Sequence, residues 1–391
     1  MKDSQDISWD DARDRAAHIS NKLQSECISI SHGLGRTLAN DSLALCDLPT
    51  YTTSSMDGWA VSGPGPWQIV GDVKAGQPQT EVLLSGTTVR IATGAVIPAG
   101  TFGVLRWENA EVMDDYVNGK VTQDSDIRPA GEECKKGDTL LKSGTVLSPA
   151  HIGLLAASGY DEIEVVRRPR IALLLLGDEL QLNGIPQNGK VRDSLGVQIP
   201  GWLERLGADV ISFQYVSDEL ETVISALQSV IASCDLIITT GGTANGPRDH
   251  VHSALESLNA SLVVDRVRSR PGHPMLLALV PYRGNDQVPL VGLPGNPQSA
   301  IMGLMTLGAP VISSLLGQEI AELRTVPTAN ELSAPVDFTR LVLGNLVGAH
   351  FEIGEHLGSA MLRGLAFSTG VAVTRSGITP IGGEVRWLPL P

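Results

Sequence analysis

Six short stretches of this chain put together residue types that do chemistry. The fullest is Thr239-Thr240-Gly241-Gly242-Thr243-Ala244-Asn245-Gly246-Pro247-Arg248-Asp249-His250. Gly241, Gly242 and Gly246 let the backbone turn tightly and present N–H groups with no Cβ in the way, and Pro247 suits a first helical position. The apolar run Leu236-Ile237-Ile238 before it reads as a strand covered on both faces, and helical spacing follows, so the turn joins a strand to a helix N-terminus. Such a turn is either an anion cradle or only a tight connection. Asp249 and His250 fall in the first helical turn, where a carboxylate caps the helix or faces a metal-bound phosphate.

The other stretches are Ser55-Met56-Asp57-Gly58-Trp59-Ala60, Ala92-Thr93-Gly94-Ala95-Val96-Ile97-Pro98, Leu176-Gly177-Asp178-Glu179-Leu180, Arg270-Pro271-Gly272-His273-Pro274 and Gly292-Leu293-Pro294-Gly295-Asn296-Pro297-Gln298-Ser299. Alone, Asp57 beside Gly58 is an ordinary turn pair, and Thr93-Gly94 is no stronger. Asp178 and Glu179 leave a strand at its carboxyl end, where they serve as caps or as ligand groups. Gly295-Asn296-Pro297 is a helix start that offers further N–H donors. Arg270 and His273 flank a stiff Pro-Gly corner, a placement for two cations on an anion or a solvated basic patch. From Arg248 to His273 the chain carries Arg248, Arg266, Arg268 and Arg270 and three histidines against Asp249, Glu256 and Asp265. That local reversal favours an anionic ligand.

Positioning these groups calls for several domains. Residues 8–45 read as helical, with Trp9, Ala12, Ala16, Ile19 and Leu23 at steps of three and four and Asp6 or Ser8 as caps. Short runs punctuated by Gly and Pro then predict a small β domain, and His151 to Ser158 a helix. Ile171 to Leu176 starts an alternation of strands (209–215, 261–266, 275–280, 288–292) and helices. The clearest helix is 217–233, with Ser217 as cap. This predicts a multidomain α/β plus β chain: a scaffold domain of 1–46 plus 138–167, an inserted small β domain of 47–137, a central doubly wound α/β domain of 168–318, and a C-terminal β domain of 319–391.

A net charge of −14 over the 391 residues opposes a nucleic-acid backbone or an acidic membrane as partner, so any anion must be held locally. Cys27, Cys46, Cys134 and Cys234 are too dispersed for a zinc site or a disulfide framework. With a polar N-terminus and no apolar run approaching the roughly 18 residues of a membrane span, the expected location is the cytoplasm.

MDGWA, ATGAVIPAG, GDEL, GGTANGPRDH, RPGHP and GLPGNPQSA, in this order, resemble the MoeA family of molybdopterin molybdenumtransferases, whose relatives include the E domain of gephyrin. The resemblance spans essentially the whole chain. It implies a MogA-like central domain in an elongated homodimer that inserts molybdate into adenylylated molybdopterin and releases AMP with Mg²⁺. It implies as well contact with other proteins of molybdenum cofactor biosynthesis. Asp57, Thr93, Glu179 and Asp249 then take catalytic positions, and Glu179, Asp218, Asp249 and Glu133 are the metal acids. Gly241, Gly242, Gly246, Arg270, His273, Pro274, Gly295, Asn296, Ser299, Arg340 and Ser359 bind the substrates. Arg270 and His273 stand where the family has the lysines of KPGKP, Ala244 where it has a serine, and Leu195 where it has an asparagine. Those departures raise an alternative, a regulatory or catalytically impaired paralogue that binds molybdopterin without inserting metal.

Overall fold

The computed structural model describes residues 6–243, 250–284, 286–320 and 322–391. The chain divides into two compact units, one of Met1–Glu26, Gly35–Ala39 and Val165–Pro391, the other of Cys27–Leu34 and Asn40–Glu164.

The larger unit is built on a six-stranded sheet in the order 209–216, 170–176, 236–240, 286–293, 276–283, 261–265. Its first four strands are parallel and the last two antiparallel. Strand Arg170–Leu176 shows why both faces are covered. Ile171, Leu173 and Leu175 enter one apolar cluster while Ala172, Leu174 and Leu176 enter another, the period of two that a pleated strand imposes. Helices Trp9–Ala17, Leu195–Arg205 and Pro297–Gly303 contribute to the first cluster, and Leu220–Val230 and Val251–Ser257 to the second. The α/β expectation is met, with antiparallel strands added at one edge.

Segment Pro297–Leu316 is long and apolar enough to cross a membrane by composition, contrary to the sequence expectation, but 83% of its apolar window is buried inside the protein. It is a core helix. It is loosened midway by a π turn at Leu304–Gly308, where Thr306 accepts the Trp9 indole N–H at 2.9 Å and donates to the Met302 carbonyl. This contact anchors the N-terminal helix on the central domain.

That helix is shorter than the sequence predicts. It runs over Trp9–Ala17 with Ser8 as its N-cap, and strand Ser25–Ser29, a 3₁₀ turn at Ile30–His32 and strands Thr37–Leu38 and Ser42–Leu43 follow. Ile19 and Leu23 keep helical spacing yet pack on the core from a bend and an irregular stretch beyond the helix end. Beyond them the alternation Ser-Glu-Cys-Ile-Ser-Ile-Ser has the period of a strand, and Gly33 and Gly35 follow. Helix Leu220–Val230 likewise starts later than expected, with Glu219 rather than Ser217 at its N-cap and no side-chain cap bond.

The C-terminal residues form a second sheet in the larger unit, in the order 269–270, 339–347, 370–374, 384–389, 325–327, with 350–353 paired to 339–347. Phe351, Val342, Ala372 and Trp387 lie in its core. Its first strand, Ser269–Arg270, comes from the central domain and pairs in parallel with Thr339–Arg340. In the smaller unit a six-stranded sheet runs 103–106, 58–61, 87–91, 67–73, 116–119, 110–113. Trp59 and Val61 pack on one face and Ala60 on the other.

Candidate active site

The glycine turn leaves strand Leu236–Thr240 at its carboxyl end. Gly241 and Gly242 have φ of +81° and +65°, and a Cβ on Gly241 would lie 2.9 Å from the Leu176 carbonyl oxygen, so the site requires glycine twice over. The Gly241 N–H donates to the Leu293 carbonyl at 2.9 Å, tying this turn to the neighbouring strand, whose own turn at Gly295 comes against Gly241. The two turns wall a cavity of about 570 Å³ together with Glu179, Asp193, Pro274 and Asn296. The Glu179 carboxylate makes no hydrogen bond or ion pair with a described residue and is exposed on this wall. Gly246 and Asp249 lie outside the described residues. His250 is the N-cap of helix Val251–Ser257 rather than part of its first turn.

Asp193, which the sequence reading passed over, is 4% exposed on the same wall. Its Oδ1 accepts the Leu195 and Gly196 amides at 3.0 and 2.9 Å, and its Oδ2 accepts the Tyr215 hydroxyl at 2.8 Å. Burial first, and then this carboxylate, push the Tyr215 phenol up to about 12. The signal for Asp193 was present, since Asp-Ser ahead of helical spacing is a start signature.

A second cavity of about 370 Å³ adjoins the first, sharing Pro274, Pro294 and Asn296 as wall residues. Arg270 and Arg340 sit opposite one another on paired strands and both line it. The Arg270 guanidinium lies 5.3 Å from the Phe338 ring centre, and one Arg340 nitrogen donates to the Ser333 carbonyl at 2.9 Å. Neither forms an ion pair with a described residue. Two cationic side chains on one cavity wall, neither neutralised by a described carboxylate, suit a bound anion.

Two expectations change here. His273 does line the cavity, but its Nε2 is engaged by Asp6 Oδ2 at 2.6 Å, so the expected second cation already has a counter-charge. Asp6 accordingly faces His273, while Ser8 caps the first helix. The N–H donors expected at the Gly295-Asn296 helix start are also engaged: the Gln298 and Ser299 amides donate to the Ser359 carbonyl at 3.0 and 3.3 Å, and Asn296 Nδ2 reaches Ser359 Oγ at 3.4 Å. Ser359 thus fastens its loop over the helix start, and Ser299 and Ser359 both line the arginine cavity.

In the smaller unit, Asp57 and Thr93 meet although 36 residues apart. Asp57 Oδ1 accepts the Thr93 amide at 2.7 Å and the Thr93 hydroxyl at 3.0 Å. Those two bonds, amide first, hold the carboxyl below its usual range against a little desolvation, and the Arg90 charge adds to them. Asp57 and Arg90 share a cleft with Trp59 and Trp107, and the Arg90 guanidinium stands 4.7 Å from the Trp107 ring centre. Glu133 belongs to this unit as well, on a separate cleft.

Asp218 lines neither cavity of the larger unit. Its carboxylate accepts the Asp178 amide and its amide donates to the Asp178 carboxylate, both at 3.3 Å. Among the described residues no group of three or more metal-capable side chains gathers.

The MoeA N-terminal region (domain I and II) matches residues 7–159, and the probable molybdopterin binding domain matches residues 172–314. The molybdopterin molybdenumtransferase of Haemophilus influenzae is 32% identical over 311 residues, covering 76% of this chain and 74% of that protein. That of Staphylococcus aureus is 28% identical over 343 residues, covering 84% and 80%. A molybdopterin biosynthesis MoeA protein of Pyrococcus horikoshii has the same fold, at a TM-score of 0.83 over 99% of this chain and all of that one with 19% identity.

Proposed function

We propose that this chain, which belongs to the MoeA family of molybdopterin molybdenumtransferases, inserts molybdate into adenylylated molybdopterin and releases AMP. One observation carries the reading: a cavity walled by two glycine turns adjoins a cavity walled by two arginines that lack a carboxylate partner among the described residues, with Pro274, Pro294 and Asn296 common to both. The first suits the adenylylated pterin and its phosphates, the second a tetrahedral oxyanion, and the shared wall puts the oxyanion beside the pterin. The regulatory alternative has no observation in its favour.

Within this reading Arg270 and Arg340 hold molybdate, Ser299 and Ser359 close its pocket, and Pro274 shapes the passage between cavities. Gly241, Gly242, Gly246 and Gly295 admit the phosphates. Glu179 is the acid best placed to take a divalent cation, with Asp249 as its expected companion. Mg²⁺ suits a wall with few acids, since it is commonly held by one or two carboxylates together with substrate phosphates and water. Bound there it would offset charge on the phosphate oxygens as AMP leaves. Asp218, engaged with Asp178, is a further acid of the same unit. Asp57, kept ionised by Thr93, supplies a fixed negative charge or a proton acceptor. The protein acts as a homodimer in the cytoplasm, with other proteins of cofactor synthesis as partners.

The test is direct. The purified chain is incubated with adenylylated molybdopterin, molybdate and Mg²⁺, and AMP is followed by chromatography alongside activation of a molybdenum-free apoenzyme. AMP and active cofactor should rise together, and AMP no faster than in an enzyme-free control would reject the reading.

A further inference from the structure

We infer that Arg90 is a further substrate contact, donating to a phosphate oxygen of the adenylylated pterin beside Asp57. The inference rests on the proposed reaction and on the place of Asp57 in it, and adds a residue to both. Arg90 stands on strand Thr87–Ile91 directly opposite Trp59 on strand Gly58–Val61, so the two side chains leave the same face of the sheet. Trp59, 5% exposed, meets Trp107 edge to face with ring centres 5.0 Å apart, and the Arg90 guanidinium lies over the Trp107 ring at 4.7 Å. A buried ring thus steadies a second ring, and the second ring steadies an exposed guanidinium. Laid flat on an aromatic surface, the guanidinium is pre-organised while its N–H fork stays available.

That fork is not spent inside the protein. The Arg90 side chain makes no hydrogen bond or ion pair with a described residue, although two carboxylates share its cleft. Asp72 stands opposite Arg90 on the other neighbouring strand but pairs with Lys74 at 3.5 Å. Asp57 is served at one oxygen by the amide and hydroxyl of Thr93, and the Arg90 charge is the smallest of the influences on its ionisation. With Asp72 and Lys74 offsetting each other, Arg90 is the cation of the cleft left for a ligand. A substrate that brings phosphates to Asp57 meets the repulsion of that carboxylate, and a fixed guanidinium beside it offsets the repulsion. Its planar fork also matches two phosphate oxygens.

The experiment follows AMP release by the full-length protein with adenylylated molybdopterin, molybdate and Mg²⁺, as kcat, KM and their pH profile, alongside melting curves. Arg90→Met should lower kcat/KM about tenfold to a hundredfold, the range for a hydrogen bond to a charged group, and should melt close to wild type because the side chain is exposed. Arg90→Lys keeps the charge but neither the fork nor the stack, so kcat/KM should still fall about threefold or more while the acid limb of the profile stays in place. Trp107→Leu removes the surface under the guanidinium and should cost about twofold to fivefold, with Trp107→Phe losing less. An Arg90→Met enzyme with wild-type kcat/KM overturns the inference. So does an Arg90→Lys enzyme as fast as wild type, since Arg90 would then act on Asp57 through its charge alone, and so does an Arg90→Met protein that melts well below wild type, since Arg90 would then act through the fold. Failure of the wild type itself to release AMP overturns the proposed reaction and the inference with it, whereas the other results overturn the inference alone.

Discussion

Replacing Asp193 tests whether the wall of the glycine-turn cavity is held by one buried carboxylate. In Asp193→Ala the Leu195 and Gly196 amides at the start of helix Leu195–Arg205 lose their acceptor, and Tyr215 loses its partner. Loss of a helix cap costs about 0.5–2 kcal/mol, and a buried polar group left unpaired about 1–3 kcal/mol. These overlap, because the same amides are counted in both, so the expected loss is about 3 kcal/mol. For a domain of this size that lowers the melting temperature by roughly 10 °C, at about 2–4 °C per kcal/mol. Asp193→Asn keeps an acceptor oxygen for the amides and should lose only about 1 kcal/mol. Both variants remove the negative charge beside Tyr215, so its phenol should titrate lower than about 12, read as phenolate absorbance against pH. Arg192, Asp193, Ser194 and Leu195 all line the cavity, so AMP release by the Ala variant should fall about tenfold to a hundredfold even well below its melting temperature. An Ala variant that melts within about 1 °C of wild type and releases AMP normally would refute the reasoning.

Two further outcomes follow from ionised carboxylates. Thr93→Val removes the hydroxyl bond to Asp57 and keeps the amide bond, so the Asp57 pKa should rise toward its usual value. Because its pKa is depressed in the wild type, the acid limb of the AMP-release pH profile should move upward, and an unmoved limb would remove Asp57 from the titrating groups. Asp235, 10% exposed, opposes burial with a bidentate bond to Arg167 at 2.6 and 2.7 Å and the Arg170 amide at 2.8 Å, and its pKa is lowered on balance. A depressed carboxylate stabilises the fold above its unfolded value of about 4, and the effect is lost as pH falls through the lower folded value. Arg167→Met should therefore cost about 2–4 kcal/mol near neutral pH, measured by denaturant melts, with the deficit shrinking in acid below about pH 4. A deficit independent of pH would assign the effect to packing instead.

The parts of the molecule legible in the sequence were those where local pattern and final environment agree. Ile171 to Leu176 reads as a strand buried on both faces because it is one, and the glycines at 241 and 242 read as a turn because no Cβ fits there. Trp9 to Leu23 failed as one helix because Ile19 and Leu23 reach the core from irregular chain beyond its end, which spacing alone does not distinguish from a helix. At the site, the residue types were legible and their partners were not. Nothing near Arg270 or Arg340 indicates that their strands pair, and nothing near Asp6 or His273 indicates their bond across 267 residues. Nor does Ser359 suggest that its carbonyl accepts the Gln298 and Ser299 amides at a helix start far earlier in sequence.

The central claim is that the arginine cavity holds the oxyanion beside the pterin site, and anomalous diffraction from crystals soaked in tungstate locates the metal directly. The account predicts one strong peak between Arg270 and Arg340, next to Pro274, that is lost in Arg340→Ala crystals. A peak elsewhere, with the arginine cavity empty in an enzyme that still releases AMP, would contradict it.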